Sequence, residues 1–73
     1  MAKFHIYSKA GVDMGVYEAG TVEQAVLAMH RNAGYDKDVV WLDDDGRLAF
    51  RDQDAIDLCG DVDHWDIDEE DAA

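Results

Sequence analysis

The chain has no proline, a single cysteine, only six basic side chains and no apolar run long enough to cross a bilayer. Without proline, its turns fall to glycine and aspartate, as at Ala10-Gly11-Val12-Asp13 and Asp44-Asp45-Gly46. One cysteine, Cys59, excludes an intramolecular disulfide framework and points to a reducing compartment. Met1-Ala2-Lys3 has no signal-peptide architecture, so a cytoplasmic location is expected. Six bases against 18 acids argue against direct binding to nucleic acid or to an anionic membrane. What is present suits one small folded domain: 73 residues leave no room for a second core, and 48% hydrophobic content is well above the disordered class.

Thr21 to Gly34 organises the chain. Val22, Ala25, Val26, Met29 and Ala33 recur at helical spacing and form one apolar stripe. Thr21 and Gln24 stand as a capping box, and Gly34 follows the last stripe residue, where a left-handed C′ position costs it no Cβ clash. Before this helix, 3–8 and 15–19 read as two strands, with Phe4 and Ile6 on one face and His5 and Tyr7 on the other. After it, 38–42 and 47–51 read as a hairpin about Asp44-Asp45-Gly46, with Val40, Leu42, Leu48 and Phe50 facing the helix. The expected fold is therefore α+β: a small antiparallel sheet in ββαββ order with one main amphipathic helix on one face. A short helix or strand follows in the acidic C-terminal segment. Residues 52–59 suit the short helix, with Asp52 as cap, Ala55, Ile56 and Cys59 inward and Gly60 as stop; 64–68 suit a last strand with Trp65 and Ile67 inward. The domain is placed at 1–68, with 69–73 a frayed acidic end.

Tyr7, Val39 and Trp41, with His5, would form an apolar patch away from the helix, covered by the acidic segment or by a partner. His5, His30 and His64 are widely separated, and each reads most simply as a surface or strand-face residue.

Charge is strongly segregated. Through Lys37 four bases meet four acids; from Asp38 onward only Arg47 and Arg51 face 14 acids, so the whole net charge of −12 lies in the second half. On an extended strand, residues two apart point the same way about 6.6 Å from each other, the order of the separation of successive phosphates on a nucleic-acid strand. Asp66, Asp68 and Glu70 would form one such row and Asp61 and Asp63 another, with more acids at Asp43, Asp44, Asp45, Asp52, Asp54 and Asp57. The plainer reading is a solvated face that keeps a small protein soluble. Against it, the charge is one-sided along the chain, and Trp65 and Trp41 could anchor an interface with an acidic rim.

Other constellations fall short. Setting Gly46 at position six of a calcium loop puts Trp41 at position one and Asp52 at position twelve, so a hairpin turn is expected there instead. Cys59 and His64 have no second Cys or His at zinc spacing, and acidic neighbours would not activate the thiol. No catalytic motif, cofactor site or metal site is picked out, and an enzyme is not expected.

Met14-Gly15-Val16-Tyr17-Glu18-Ala19-Gly20-Thr21-Val22-Glu23-Gln24-Ala25-Val26, closing in Ala33-Gly34-Tyr35, resembles a pattern in small ββα-type domains of bacteria, phages and mobile elements. The likeness covers under half of the chain and involves strand, cap, stripe and stop. It implies the ββα core and a mobile-element setting, and it carries no functional residue across. In size and acidity the chain also resembles phage-encoded anti-CRISPR proteins, several of which mimic DNA.

The functional expectation is a small acidic binding protein that occupies a basic, nucleic-acid-binding surface of a partner protein, such as a CRISPR effector complex in a bacterial host cell. Asp43, Asp44, Asp45, Asp54, Asp57, Asp61, Asp63, Trp65, Asp66 and Asp68 are the candidate contact residues. The alternative is an acidic interaction or accessory module of a phage or mobile element without mimicry, using the aromatic sheet face for a homodimer or a host partner.

Overall fold

The structure, a computed structural model, describes residues 2–70. Its elements are β1 (Ala2–Ser8), β2 (Asp13–Ala19), α1 (Val22–Asn32), β3 (Val40–Leu42), β4 (Leu48–Phe50), α2 (Gln53–Cys59), a single 3-10 turn (Val62–His64) and β5 (Trp65–Glu70). The fold is α+β, with five strands in two small antiparallel sheets.

Helix α1 begins and ends on local chemistry. Thr21 Oγ1 accepts from the Gln24 N–H at 3.2 Å, and Gln24 Oε1 accepts in return from the Gly20 N–H at 2.9 Å. At the other end Gly34 takes φ +101°; its N–H donates to Arg31 O and the Tyr35 N–H to His30 O, the paired bonds of a Schellman ending. Replacing Thr21 with alanine is expected to cost about 1 kcal/mol in a denaturant titration, since it leaves a first-turn N–H without its acceptor.

The stripe of α1 packs on β1, β2 and β3. Phe4, Ile6, Ala19, Ala25, Val26, Met29, Val40, Leu48 and Cys59 make the core, with Trp65 and Ile67 packed against it from β5. His30 is also buried, against the expectation of a surface histidine. The reason lies in its spacing: it follows Val26 by four residues and so continues the stripe.

The expected single sheet divides in two. Its central strand, β1, is bordered by β2 on one side and β5 on the other, so the β3–β4 hairpin forms a separate two-stranded sheet. In the larger sheet Phe4 lies opposite Tyr17 and Glu69, and His5 opposite Val16 and Asp68. Strand β5 extends through Glu70, so Glu69 and Glu70 are paired rather than frayed; Asp71 to Ala73 lie outside the described residues.

This division also removes the expected aromatic patch. Tyr7 belongs to the outer face of the larger sheet, Trp41 to the hairpin, and Val39 packs against the core. Nor does the C-terminal segment cover that outer face: β5 joins the edge of β1 and turns Trp65 and Ile67 toward the core. The outer face carries His5 and Tyr7 beneath a row of acids.

Candidate partner-binding surfaces

Two acidic surfaces emerge, one at α2 and the turn behind it, the other on the outer face of β5. Helix α2 is started by Asp52, whose Oδ1 accepts from the Ala55 N–H at 2.9 Å while Oδ2 accepts from Arg51 Nε at 3.1 Å. Those bonds, the backbone one foremost, hold the Asp52 carboxyl below its ordinary range and keep it charged. The helix sends Ala55 and Cys59 into the core, and burial pushes the Cys59 thiol up, as befits a small buried hydrophobe. Ile56, expected to face inward with them, is instead 37% exposed, and Leu58 is 65% exposed. A seven-residue helix lying over the edge of the core buries a narrow strip, and Ala55 and Cys59 occupy it.

Beyond Gly60, Asp61 caps the 3-10 turn by accepting from the Val62 N–H at 2.8 Å. Asp61 and Asp63 therefore stand in a turn and not in the extended row expected from their spacing. The turn brings the His64 ring over Gly60 and edge-on to Trp65, with centroids 5.2 Å apart. Between helix and turn lies an open depression of about 410 Å³ lined by Ile56, Asp57, Gly60, Asp61, Asp63 and His64. Below it, His30 Nε2 donates to the Gly60 carbonyl at 3.0 Å; burial lowers the pKa of His30 and favours the neutral ring, while this bond acts in the opposite direction and only partly offsets it.

Asp54, Asp57, Asp61 and Asp63 make no ion pair with any described residue, and no Lys or Arg occurs between Asp52 and Glu70. Asp57 accepts one neutral hydrogen bond, from Gln53 Nε2 at 3.1 Å. These four carboxylates, like those of Asp44, Asp45 and Asp68, have no cationic partner among the described residues.

The row on β5 forms as expected. Asp66, Asp68 and Glu70 lie opposite Tyr7, His5 and Lys3, which alternate with the buried Phe4 and Ile6, so all three carboxylates share the outer face. This row is partly compensated: Lys9 Nζ reaches Asp66 at 2.8 Å, and His5 Nδ1 lies 3.4 Å from Glu70. Trp65 is not an exposed anchor. It packs against the core, and its indole Nε1 is buried with no acceptor among the described residues.

At the hairpin, Asp43 is used by the turn: its Oδ1 accepts from the Asp45 and Arg47 N–H groups, each at 2.9 Å. Asp44 and Asp45 are exposed. Among the described residues no three His, Cys, Asp or Glu side chains converge as metal ligands, and no helix is long and apolar enough to cross a membrane.

A further cluster was not foreseen as a unit. His5 Nε2 lies 2.8 Å from Asp13 Oδ1, and Tyr7 Oη lies 3.1 Å from His5 Nδ1 with the two rings stacked at 4.3 Å. Strand alternation places His5 beside Tyr7, and the short return to β2 brings Asp13 near; Glu70 arrives only through a pairing 65 residues away in sequence, which no local pattern signals. Against known proteins, no family model matches this chain, and neither does any curated protein or solved structure.

Proposed function

We propose that this chain is a binding protein whose acidic surface occupies a basic, nucleic-acid-binding site on another protein, in the manner of a DNA mimic and anti-CRISPR-like inhibitor. The observation that carries this reading is the set of uncompensated carboxylates on α2 and the following turn, with Asp57, Asp61 and Asp63 at the edge of a groove that includes Ile56. Cationic side chains that normally meet phosphates would meet these carboxylates, and their aliphatic stems would lie on Ile56 and the exposed Leu58. The β5 row extends the acidic surface at a spacing of about 6.6 Å between successive members.

The test is competition with DNA for a CRISPR effector complex, read by mobility shift at several salt concentrations. Wild type should displace DNA, and its association should weaken steeply with salt, because rim charges act over roughly 8–10 Å near physiological ionic strength. Asp54→Asn, Asp57→Asn and Asp63→Asn together should slow association about tenfold and flatten the salt dependence. Glu18→Gln, Glu23→Gln and Asp36→Asn, which remove as many acids from the first half, should do much less. Equal behaviour of the two triple variants would reduce the acidic surface to a solubilising one.

A second reading keeps some support from Trp41, 36% exposed on the hairpin sheet. An accessory module that docks through this indole would bind its partner almost indifferently to salt and would lose binding in Trp41→Ala.

A further inference from the structure

We propose that His5 is a proton-controlled clasp: its Nδ1 exchanges the Tyr7 hydroxyl for the Glu70 carboxylate on protonation, and so ties the end of β5 to the sheet. The inference concerns the outer sheet face and does not rest on the partner-binding reading, although Glu70 also belongs to the β5 row.

The geometry assigns the two nitrogens different tasks. Nε2 lies 2.8 Å from Asp13 Oδ1, and that oxygen is anchored independently by the Gly15 N–H at 2.8 Å. Both bonds, that to His5 foremost, lower the pKa of Asp13, so a charged acceptor faces Nε2 and fixes a proton there. In the neutral ring Nδ1 is then a bare acceptor. It can take the Tyr7 O–H at 3.1 Å, but toward Glu70 Oε1 at 3.4 Å it presents one lone pair to another. Adding a proton to Nδ1 reverses this: the ring gains an N–H and a charge, and Glu70 becomes the matching acceptor.

The surroundings favour the proton. Facing the ring across β5 is Asp68, in register with His5, while Asp66 is paired with Lys9; on β1 Lys3 stands on the same face, 3.8 Å from Glu18 of β2. Carboxylates outnumber cations there, and the pKa of His5 is raised above 6.5, chiefly by the hydrogen bond to Asp13, with Glu70 contributing in the same direction. A raised folded-state pKa stabilises fully below the unfolded value near 6.5, and the contribution is lost as pH climbs through the folded value. Strand β5 is thus held at its start by the Lys9–Asp66 pair, and at its end by a contact that depends on the His5 proton.

Imidazole 15N spectra of the labelled chain between pH 5 and 9 test this. His5 should titrate above 6.5, and above its midpoint the proton should reside on Nε2. Glu70→Gln should lower the midpoint by several tenths of a pH unit, and Tyr7→Phe should raise it, because the first removes an acceptor for the charged ring and the second a donor to the neutral one. Amide exchange in β5, corrected for intrinsic rate, should be better protected at pH 6 than at pH 8, and that difference should shrink in Glu70→Gln. A midpoint unmoved by Glu70→Gln, shifts of the same sign in both variants, or a neutral ring protonated on Nδ1 would overturn the clasp.

Discussion

Val26→Asp should abolish the folded state. Val26 is fully buried where α1 meets the sheets, among Phe4, Ile6, Met29 and Val40 in the same core. A domain of this size has a total stability of about 4–11 kcal/mol, from roughly 0.05–0.15 kcal/mol per residue. Losing the valine side chain forfeits about 1.5–3 kcal/mol of burial. Placing a carboxyl there without a partner adds a desolvation cost of several kcal/mol, and neutralising it by protonation only lessens that cost. Among the described residues no lysine or arginine is buried, and the buried His30 is bonded to the Gly60 carbonyl with its pKa lowered by burial. A thermal scan by far-UV circular dichroism should therefore show no cooperative melting in Val26→Asp, whereas Val26→Ala should remain folded with a loss of about 2 kcal/mol. A Val26→Asp protein melting within a few degrees of wild type would mean that α1 is placed wrongly.

The neighbouring position sharpens this test. Helical geometry alone puts Leu27 roughly 100° round from Val26 and leads one to expect it to tolerate aspartate. In the structure Leu27 is half-buried and packs against the core, so Leu27→Asp should destabilise measurably, though less than Val26→Asp. The stripe is broader than its most regular residues suggest, and His30 belongs to it for the same reason.

What was legible follows the range of the interactions. Thr21, Gln24 and Gly34 specify α1 through bonds spanning three to five residues, and Asp52 and Gly60 delimit α2 the same way, so sequence spacing suffices for both. Alternation likewise reveals that Phe4 and Ile6 face in and that Asp66, Asp68 and Glu70 share a face. It does not reveal which edge β5 joins, because register with β1 is set by burying Trp65 and Ile67 against residues some 60 positions earlier. The two-sheet division, the loss of the Tyr7–Trp41 patch and the meeting of His5 with Glu70 all follow from that pairing. The groove was half visible: its acids stood out by composition, but the exposure of Ile56 and the turn holding Asp61 and Asp63 depend on how α2 sits on the core.

Gly60→Ala should be the most damaging single-methyl addition near that groove. Gly60 ends α2 with φ +84° and ψ 134°, a conformation that side chains rarely adopt and that costs about 1–3 kcal/mol when they do. Space is lacking as well: a Cβ there would lie 2.7 Å from His64 Cγ and Cδ2 and 2.9 Å from its Cβ, so the base of that side chain must move and not merely its tip. The ring packs edge-on against Trp65, and the Gly60 carbonyl is bonded to the buried His30, which leaves little room to yield. A loss of about 3 kcal/mol or more is expected from strain and overpacking together. Gly34→Ala is the matched comparison, since its φ is +101° but no atom lies within 4 Å of the added carbon. It should cost only the conformational part, about 1–2 kcal/mol. Introducing His64→Ala alongside Gly60→Ala should recover the steric share owed to the ring atoms Cγ and Cδ2 and leave the Cβ contact and the backbone share, giving a coupling of about 1 kcal/mol or more in a double-mutant cycle. If Gly60→Ala costs no more than Gly34→Ala, or costs the same with and without the His64 ring, then His64 does not close over Gly60 and the groove is not built as described.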